Sequence, residues 1–140
     1  MNQYLILQPV VALFLLTAAV WVFMYARRLS FILANSIDPQ SIATPEQLNA
    51  RLPASVNHAS NNLKNLFELP VVFYALCAFL LVSQNVDEVF LYSAWAFWAL
   101  RVLHSLIHCT VNIVNLRFTA YILSSLVLWF MAVRLAWSVF

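Results

Sequence analysis

Four long apolar runs are the feature that most restricts how this chain can fold. They cover roughly residues 5–26, 66–84, 88–109 and 118–139. Each run is close to the length of about 20 residues that an α-helix needs to cross the hydrocarbon of a bilayer. The runs are continuous rather than alternating, which argues against transmembrane strands. Hydrophobic residues make up 64% of the chain and charged residues only 9%, so these runs indicate a bilayer as the solvent.

The runs predict an all-α membrane protein with four transmembrane helices in an antiparallel bundle, and a single domain over residues 1–140. The predicted helices are about 5–26, 55–84, 88–112 and 118–139. A loop over about 27–54 separates the first two helices. Within it, the stretch TPEQLNARLP predicts a short helix that is capped by Thr44, with Gln47 completing a capping box.

Basic residues predict the orientation of the bundle. Five cations fall on one side of the membrane if the four spans alternate: Arg27, Arg28, Arg51, Lys64 and Arg117. The loop between the second and third spans carries Asp87 and Glu88 and no cation. The positive-inside rule therefore predicts that both termini face away from the cytoplasm. Arg134 is the exception, and we expect it to snorkel near the outer end of the last helix.

Two polar stripes run along the second and third helices. On the third helix, six polar residues fall within an arc of roughly 100°: Arg101, His104, Ser105, His108, Asn112 and Asn115. On the second helix, six more fall within roughly 120°: Asn57, His58, Asn61, Lys64, Asn65 and Glu68. Asn62 points elsewhere. Both stripes are expected to face protein or water rather than lipid.

Antiparallel folding brings the two stripes to the same depth. A turn near residues 85–86 puts Glu68 level with about residue 103 and Asn65 level with about residue 106. We therefore predict an ion pair between Glu68 and Arg101 with His104 close by, since buried charges need partners. Pro70 is expected to kink the second helix just after Glu68. A purely structural alternative has this pair setting only the register of the bundle.

Two alternatives concern the histidines. His104 and His108 stand one helical turn apart, and with Glu68 they would form a metal site of two histidines and one carboxylate. Arg101 in the same stripe opposes a cation, so no metal is predicted. The structural alternative has both histidines hydrogen-bonded to nearby polar groups: Ser124, Ser125 or Asn61.

Motifs on these stripes, in this order, resemble the MAPEG family, the membrane-associated proteins of eicosanoid and glutathione metabolism. The stretch NLFELP carries the family's Asn-x-x-Glu and following Pro at Asn65, Glu68 and Pro70. The stretch RVLHSLIHCTVNIVNLR holds the family's places on the third helix and at the start of the fourth, with Arg101, His104, His108 and Arg117. Arg27 matches an arginine that several members have at the end of the first helix.

The resemblance implies a homotrimer with a glutathione site between subunits, open to the cytoplasm and reachable from the bilayer by apolar substrates. It implies an integral membrane transferase or peroxidase that uses glutathione against a lipophilic electrophile. Arg117 would be the catalytic residue, because a guanidinium stabilises the thiolate that reacts. The glutathione-binding residues would be Arg27, Lys64, Asn65, Glu68, Arg101, His104 and His108.

Three departures from the family pattern leave an alternative open. Asn61 stands where the family often has arginine, His108 replaces a tyrosine, and Phe118 replaces a serine of the prostaglandin-forming branch. The alternative is a non-catalytic family member that binds a lipid or an anionic metabolite. A small transporter or channel fits less well, because broken helices and inverted repeats are missing from the sequence. The net charge of +2 suggests no nucleic-acid partner. The predicted location is a bacterial inner membrane or a membrane of the endoplasmic reticulum type.

Overall fold

A computed structural model describes residues 1–139, and within them it contains helices and no strand. The α-helices are α1 (Leu7–Ala34), α2 (Pro45–Arg51), α3 (Ala54–Leu66), α4 (Leu69–Val82), α5 (Glu88–Cys109) and α6 (Val114–Val139). Two short 3-10 turns, Gln3–Ile6 and Pro39–Ile42, precede α1 and α2. Four units are long and apolar enough to cross a membrane: Gln3–Ala34, Ala54–Val82, Glu88–Cys109 and Val114–Val139. The predicted all-α fold with four spans is confirmed.

The first helix continues past residue 26, so the beginning of the expected loop 27–54 is helical. Asn35 ends α1, and its side-chain amide donates to the Phe31 carbonyl at 2.8 Å. Farther along, the predicted capping box is present. The Thr44 hydroxyl accepts from the Gln47 amide at 3.3 Å, and the Gln47 side chain accepts from the Thr44 amide at 3.2 Å. These local bonds fold the loop back toward the ends of α1 and α3.

The second span is broken between α3 and α4. Pro70 lies in the first turn of α4 and has no amide hydrogen to offer the Leu66 carbonyl. Glu68 accordingly leaves the helical conformation, with φ −95° and ψ −103°. The kink predicted at Pro70 is confirmed, and it is a complete break. The expectation that the sequence has no broken helix is therefore wrong for the second span. The break also frees the Asn65 carbonyl from the Leu69 amide, which would occupy it in a continuous helix.

The apolar core lies at the end of the bundle opposite the polar stripes. The rings of Phe73 on α4 and Phe97 on α5 stack with their centroids 4.6 Å apart, and both side chains are fully buried. Leu128 and Met131 on α6 close the same core. The hairpin of α5 and α6 is the most extensive helix pair. One half of α5 therefore anchors the bundle, which leaves its C-terminal half to carry polar groups.

Arg134, which was expected to snorkel near the outer end of the last helix, makes an ion pair there. Its guanidinium binds both carboxylate oxygens of Asp87 at 2.8 and 2.6 Å and lies 4.3 Å from the centroid of the Phe90 ring. Asp87 also caps α5 by accepting from the Phe90 amide at 2.9 Å. The hydrogen bond from Arg134 is the largest cause that holds the pKa of Asp87 below its usual value. Gln3 ties the N-terminus to the same loop by two hydrogen bonds with the Val86 backbone, at 3.1 and 2.8 Å.

Candidate functional site

The polar stripe of α5 faces the interior of the bundle, as its helical spacing predicts. Arg101 is completely buried, and His104, Ser105 and His108 are 3% exposed. The helix ends at Cys109, so Asn112 and Asn115 lie beyond it, in the turn and on α6. The stripe therefore consists of four buried side chains on the last turns of α5, next to the break between α3 and α4.

Arg101 is held on one edge only. Its Nη2 donates to the Asn65 carbonyl at 3.0 Å, the carbonyl that the break at Pro70 exposes. Its guanidinium carbon lies 5.5 Å from the centroid of the Tyr121 ring, a cation–π distance. The remaining nitrogens, Nε and Nη1, are buried and have no hydrogen-bond partner among residues 1–139. Buried donors of a charged group that lack partners are costly, so these two nitrogens indicate a site for an acceptor.

Asn65 and the two histidines form a second part of the cluster. His104 Nδ1 lies 2.8 Å from the Arg117 carbonyl, which can only accept, so this nitrogen carries the proton. His104 Nε2 is then free to accept from the Asn65 side-chain amide at 3.4 Å. The same amide lies 3.5 Å from His108 Nδ1, and the two rings meet edge to face, with centroids 5.5 Å apart. In this arrangement both imidazoles are neutral acceptors, and the positive charge of the cluster belongs to arginine.

Arg117 lies in the first turn of α6 and is held by a chain of side chains. Its Nη1 donates to Asn112 Oδ1, and the Asn112 amide nitrogen lies 3.0 Å from His58 Nε2 on α3. Asn112 has φ 49°, in the left-handed region that asparagine tolerates better than most residues. The tight turn between α5 and α6 thus presents the Asn112 side chain to Arg117. Arg117 is only partly buried, so it lies at the edge of the cluster rather than within it.

The predicted ion pair between Glu68 and Arg101 is not formed, and this prediction is wrong for the single chain. Among residues 1–139 the one salt bridge joins Asp87 and Arg134, at the other end of the bundle. Glu68 is exposed because the backbone break sets its side chain off the face that α3 presents to α5. The predicted depths are nevertheless correct, since Asn65 meets α5 at the level of His104 and His108.

The remaining predicted residues lie outside this cluster. Arg27 is exposed on α1, where it donates to the Ser55 carbonyl at 3.4 Å and lines a separate cavity of about 560 Å³ between α1 and α3. Lys64 is adjacent to Asn65 in sequence but lines a different cavity, together with Arg28 and the loop. The structure thus brings together Asn65, Arg101, His104, His108 and Arg117. Arg27 and Lys64 line other cavities, and Glu68 forms no salt bridge with the cluster.

Sequence reasoning missed three contributors to the cluster. Asn62 was expected to point elsewhere, yet it is fully buried, accepts from the Ser105 hydroxyl at 3.4 Å and lies 3.5 Å from Cys109 Sγ. Its spacing of three residues from Asn65 was the available signal. Tyr121 of α6 packs its ring on both Arg101 and His104. The contact between Asn112 and His58 was also missed, although both lie on the predicted stripes and folding about residues 85–86 puts His58 level with about residue 113.

The alternatives for the histidines are answered by their partners. The histidines are hydrogen-bonded to Asn65 and to the Arg117 carbonyl, while Ser124 and Ser125 both donate to the Tyr121 carbonyl, at 2.8 and 2.7 Å. Within residues 1–139 no group of three His, Cys, Asp or Glu side chains is placed to hold a metal ion. The cluster offers two arginines and neutral polar groups, a set of donors that suits an anion.

No curated protein and no solved structure matches the chain. The model of the MAPEG family, which includes glutathione transferases and related membrane proteins, matches residues 6–137. With nearly its whole length covered and with four helices that can span a membrane, this integral multi-pass chain belongs to the MAPEG family.

Proposed function

We propose that the protein is a glutathione-dependent transferase or peroxidase that acts on a lipophilic electrophile within the membrane. The observation that carries this proposal is the positive charge of the cluster, to which no carboxylate forms a salt bridge among residues 1–139. Arg101 keeps two buried donors without partners, and neither Arg101 nor Arg117 has a salt bridge within residues 1–139. Glutathione, the thiol associated with the MAPEG family, is an anion of the kind that such a cluster attracts.

Each residue of the cluster has a role in this proposal. Arg101 offers Nε and Nη1 to a carboxylate of glutathione, and Asn65 with the two histidines fixes its peptide groups. Arg117, at the edge of the cluster, stabilises the thiolate. The thiol gives its proton to water, and a sulfur electron pair then forms the bond to the electrophile. The electron pair of the broken bond leaves with the departing group. The apolar surfaces of the bundle bring the electrophile from the lipid.

A homotrimer belongs to the same proposal. Arg27 and Glu68 are exposed on the single chain, so a neighbouring subunit is the natural source of contacts for them. We propose that Arg27 and Glu68 complete the glutathione site across the subunit interface, with Glu68 taking the glutathione ammonium. The orientation proposed from the cations has both termini on the non-cytoplasmic side, in a bacterial inner membrane or a membrane of the endoplasmic reticulum type. The cluster then opens to the cytoplasm, where glutathione is abundant.

The test is ultraviolet difference absorbance of the detergent-purified protein during a titration with glutathione near neutral pH. We expect a saturable thiolate band in the parent protein and in Arg117→Lys, which keeps the charge. The band should be lost in Arg117→Ala. S-methylglutathione is the matched ligand control, because it can fill the site but has no proton to lose.

Calorimetry measures glutathione binding separately, so that binding can be distinguished from ionisation of the thiol. Glutathione binding without a thiolate band in the parent protein would contradict catalysis and favour the non-catalytic alternative, a membrane protein that binds an anionic metabolite. No binding at millimolar glutathione would contradict the proposed co-substrate altogether. A band that survives in Arg117→Ala would show that another residue stabilises the thiolate.

A further inference from the structure

A positively charged cavity lies apart from the cluster, between α1, α3 and α2 with the loop before it. It has a volume of about 290 Å³, and we name it the loop cavity. Its polar lining comes from Arg28, Thr44, Asn49, Ser60 and Lys64, and apolar residues of the loop complete it. No carboxylate lies among the residues that line it. The loop cavity therefore carries two positive charges and uncharged hydrogen-bonding groups.

Neither cation of the loop cavity forms a salt bridge with a residue of the described chain. Arg28 donates from Nη2 to the Ser60 hydroxyl at 3.1 Å, while its Nε is buried without a partner among residues 1–139. Lys64 is exposed, and the one salt bridge of the described residues lies elsewhere. A buried donor without a partner and an unpaired ammonium beside it form a built site for an oxyanion.

The loop cavity is separate from the cluster that we assign to glutathione. Successive residues of a helix point about 100° apart, so Lys64 and Asn65 face different neighbours. Asn65 meets α5 through His104 and His108, whereas Lys64 meets α1 and the loop. A ligand in the loop cavity would thus contact none of the cluster side chains.

The position of the loop cavity identifies the kind of anion. Arg28 follows the first apolar run directly, and Lys64 comes just before the second. Both cations are therefore expected where their helices pass the bilayer surface, at the level of the phosphate groups of the lipids. We propose that the loop cavity binds a phosphate ester at the bilayer edge, with the headgroup of an anionic phospholipid as its source. Basic pockets at the ends of membrane helices suit such headgroups.

The experiment is native mass spectrometry of the full chain in neutral detergent, titrated with dioleoyl phosphatidylglycerol or with dioleoyl phosphatidylcholine. We expect a saturable phosphatidylglycerol adduct and a much weaker phosphatidylcholine adduct. Lys64→Gln should weaken phosphatidylglycerol binding about fivefold, since one cation near such a surface contributes about 1 kcal/mol. Arg51→Gln is the matched control. It removes the same charge from the same loop region, at the exposed end of α2 and outside the lining, and should leave binding unchanged.

Competition with inorganic phosphate separates the sources of the anion. A lipid adduct that withstands millimolar phosphate supports the phospholipid headgroup. Displacement by phosphate in the parent, but weakly in Lys64→Gln, supports the same site with a soluble phosphate ester as its occupant. Equal weakening by Lys64→Gln and Arg51→Gln would overturn the proposal, because diffuse attraction would then explain the binding. Equal uptake of the two lipids would overturn it as well.

Discussion

Replacing Arg101 by methionine tests whether this arginine is present for a ligand rather than for the stability of the bundle. Methionine is unbranched and flexible, and it fills the space of the arginine stem without charge. The substitution removes the hydrogen bond from Arg101 to the Asn65 carbonyl, which contributes about 1.5–3 kcal/mol for a charged donor. It also removes the cation–π contact with Tyr121, which contributes about 0.5–2 kcal/mol.

The same substitution relieves a cost of comparable size. Arg101 Nε and Nη1 are buried without partners, and each such donor costs about 1–3 kcal/mol or more on a charged group. The losses and the relief therefore nearly cancel. We expect the free energy of unfolding of Arg101→Met to lie within about 2 kcal/mol of that of the parent protein, as replacement of a buried charge by an apolar side chain often gives.

Glutathione binding should respond very differently. The proposed ligand loses hydrogen bonds to a charged group, so we expect its affinity to fall at least about tenfold. Unfolding in detergent gives the free energy of unfolding, and calorimetry gives the affinity for glutathione. Arg101→Lys keeps the charge but has fewer donors, so its affinity for glutathione should lie between those of the parent protein and Arg101→Met. An unfolding free energy lower by more than about 4 kcal/mol, with affinity unchanged, would refute the reasoning and make Arg101 a structural residue.

Three further predictions address other parts of the bundle. Asn112→Ala removes the hydrogen-bond acceptor that holds the Arg117 guanidinium. The thiolate band, measured at the same occupancy of glutathione, should therefore weaken about tenfold. An unchanged band would contradict the role of Asn112 in positioning Arg117. Pro70→Ala restores a backbone donor, so amides around the break should exchange more slowly with deuterium. The affinity for glutathione should fall at the same time. Unaltered exchange would show that the break has another cause. Asp87→Asn keeps the helix cap but loses the ion pair with Arg134. Because that pair holds the Asp87 pKa low, its stabilisation is complete above about pH 4 and is lost as the pH falls through the lowered pKa. Both side chains are substantially exposed, so we expect a stability gap of less than about 1 kcal/mol that closes in acid; a gap that persists there would refute the assignment.

Helical periodicity accounts for much of what could be predicted. The four spans follow from the apolar runs, and the spacing of Arg101, His104 and His108 predicts a common face that is indeed buried. Pro70 predicts a disturbance of the second span, because proline lacks the amide hydrogen that a continuous helix requires. The depth at which Asn65 meets α5 follows from folding two helices of known rise about a short turn. All of these depend on local geometry.

Helical periodicity could not predict which side chains contact one another in the folded bundle. The helical arc placed Lys64 and Glu68 beside Asn65, but the break at Pro70 sets Glu68 apart and packing directs Lys64 to the loop cavity. Asn62 was left outside the arc and is nevertheless fully buried.

Contacts between residues far apart in the sequence were also beyond the reach of helical periodicity. The Asp87–Arg134 pair and the packing of Tyr121 on Arg101 join groups far apart in the sequence. Such contacts depend on how one helix is rotated against another. That rotation is set by the packing of the whole bundle, whereas the period of a single helix is set by its own backbone hydrogen bonds.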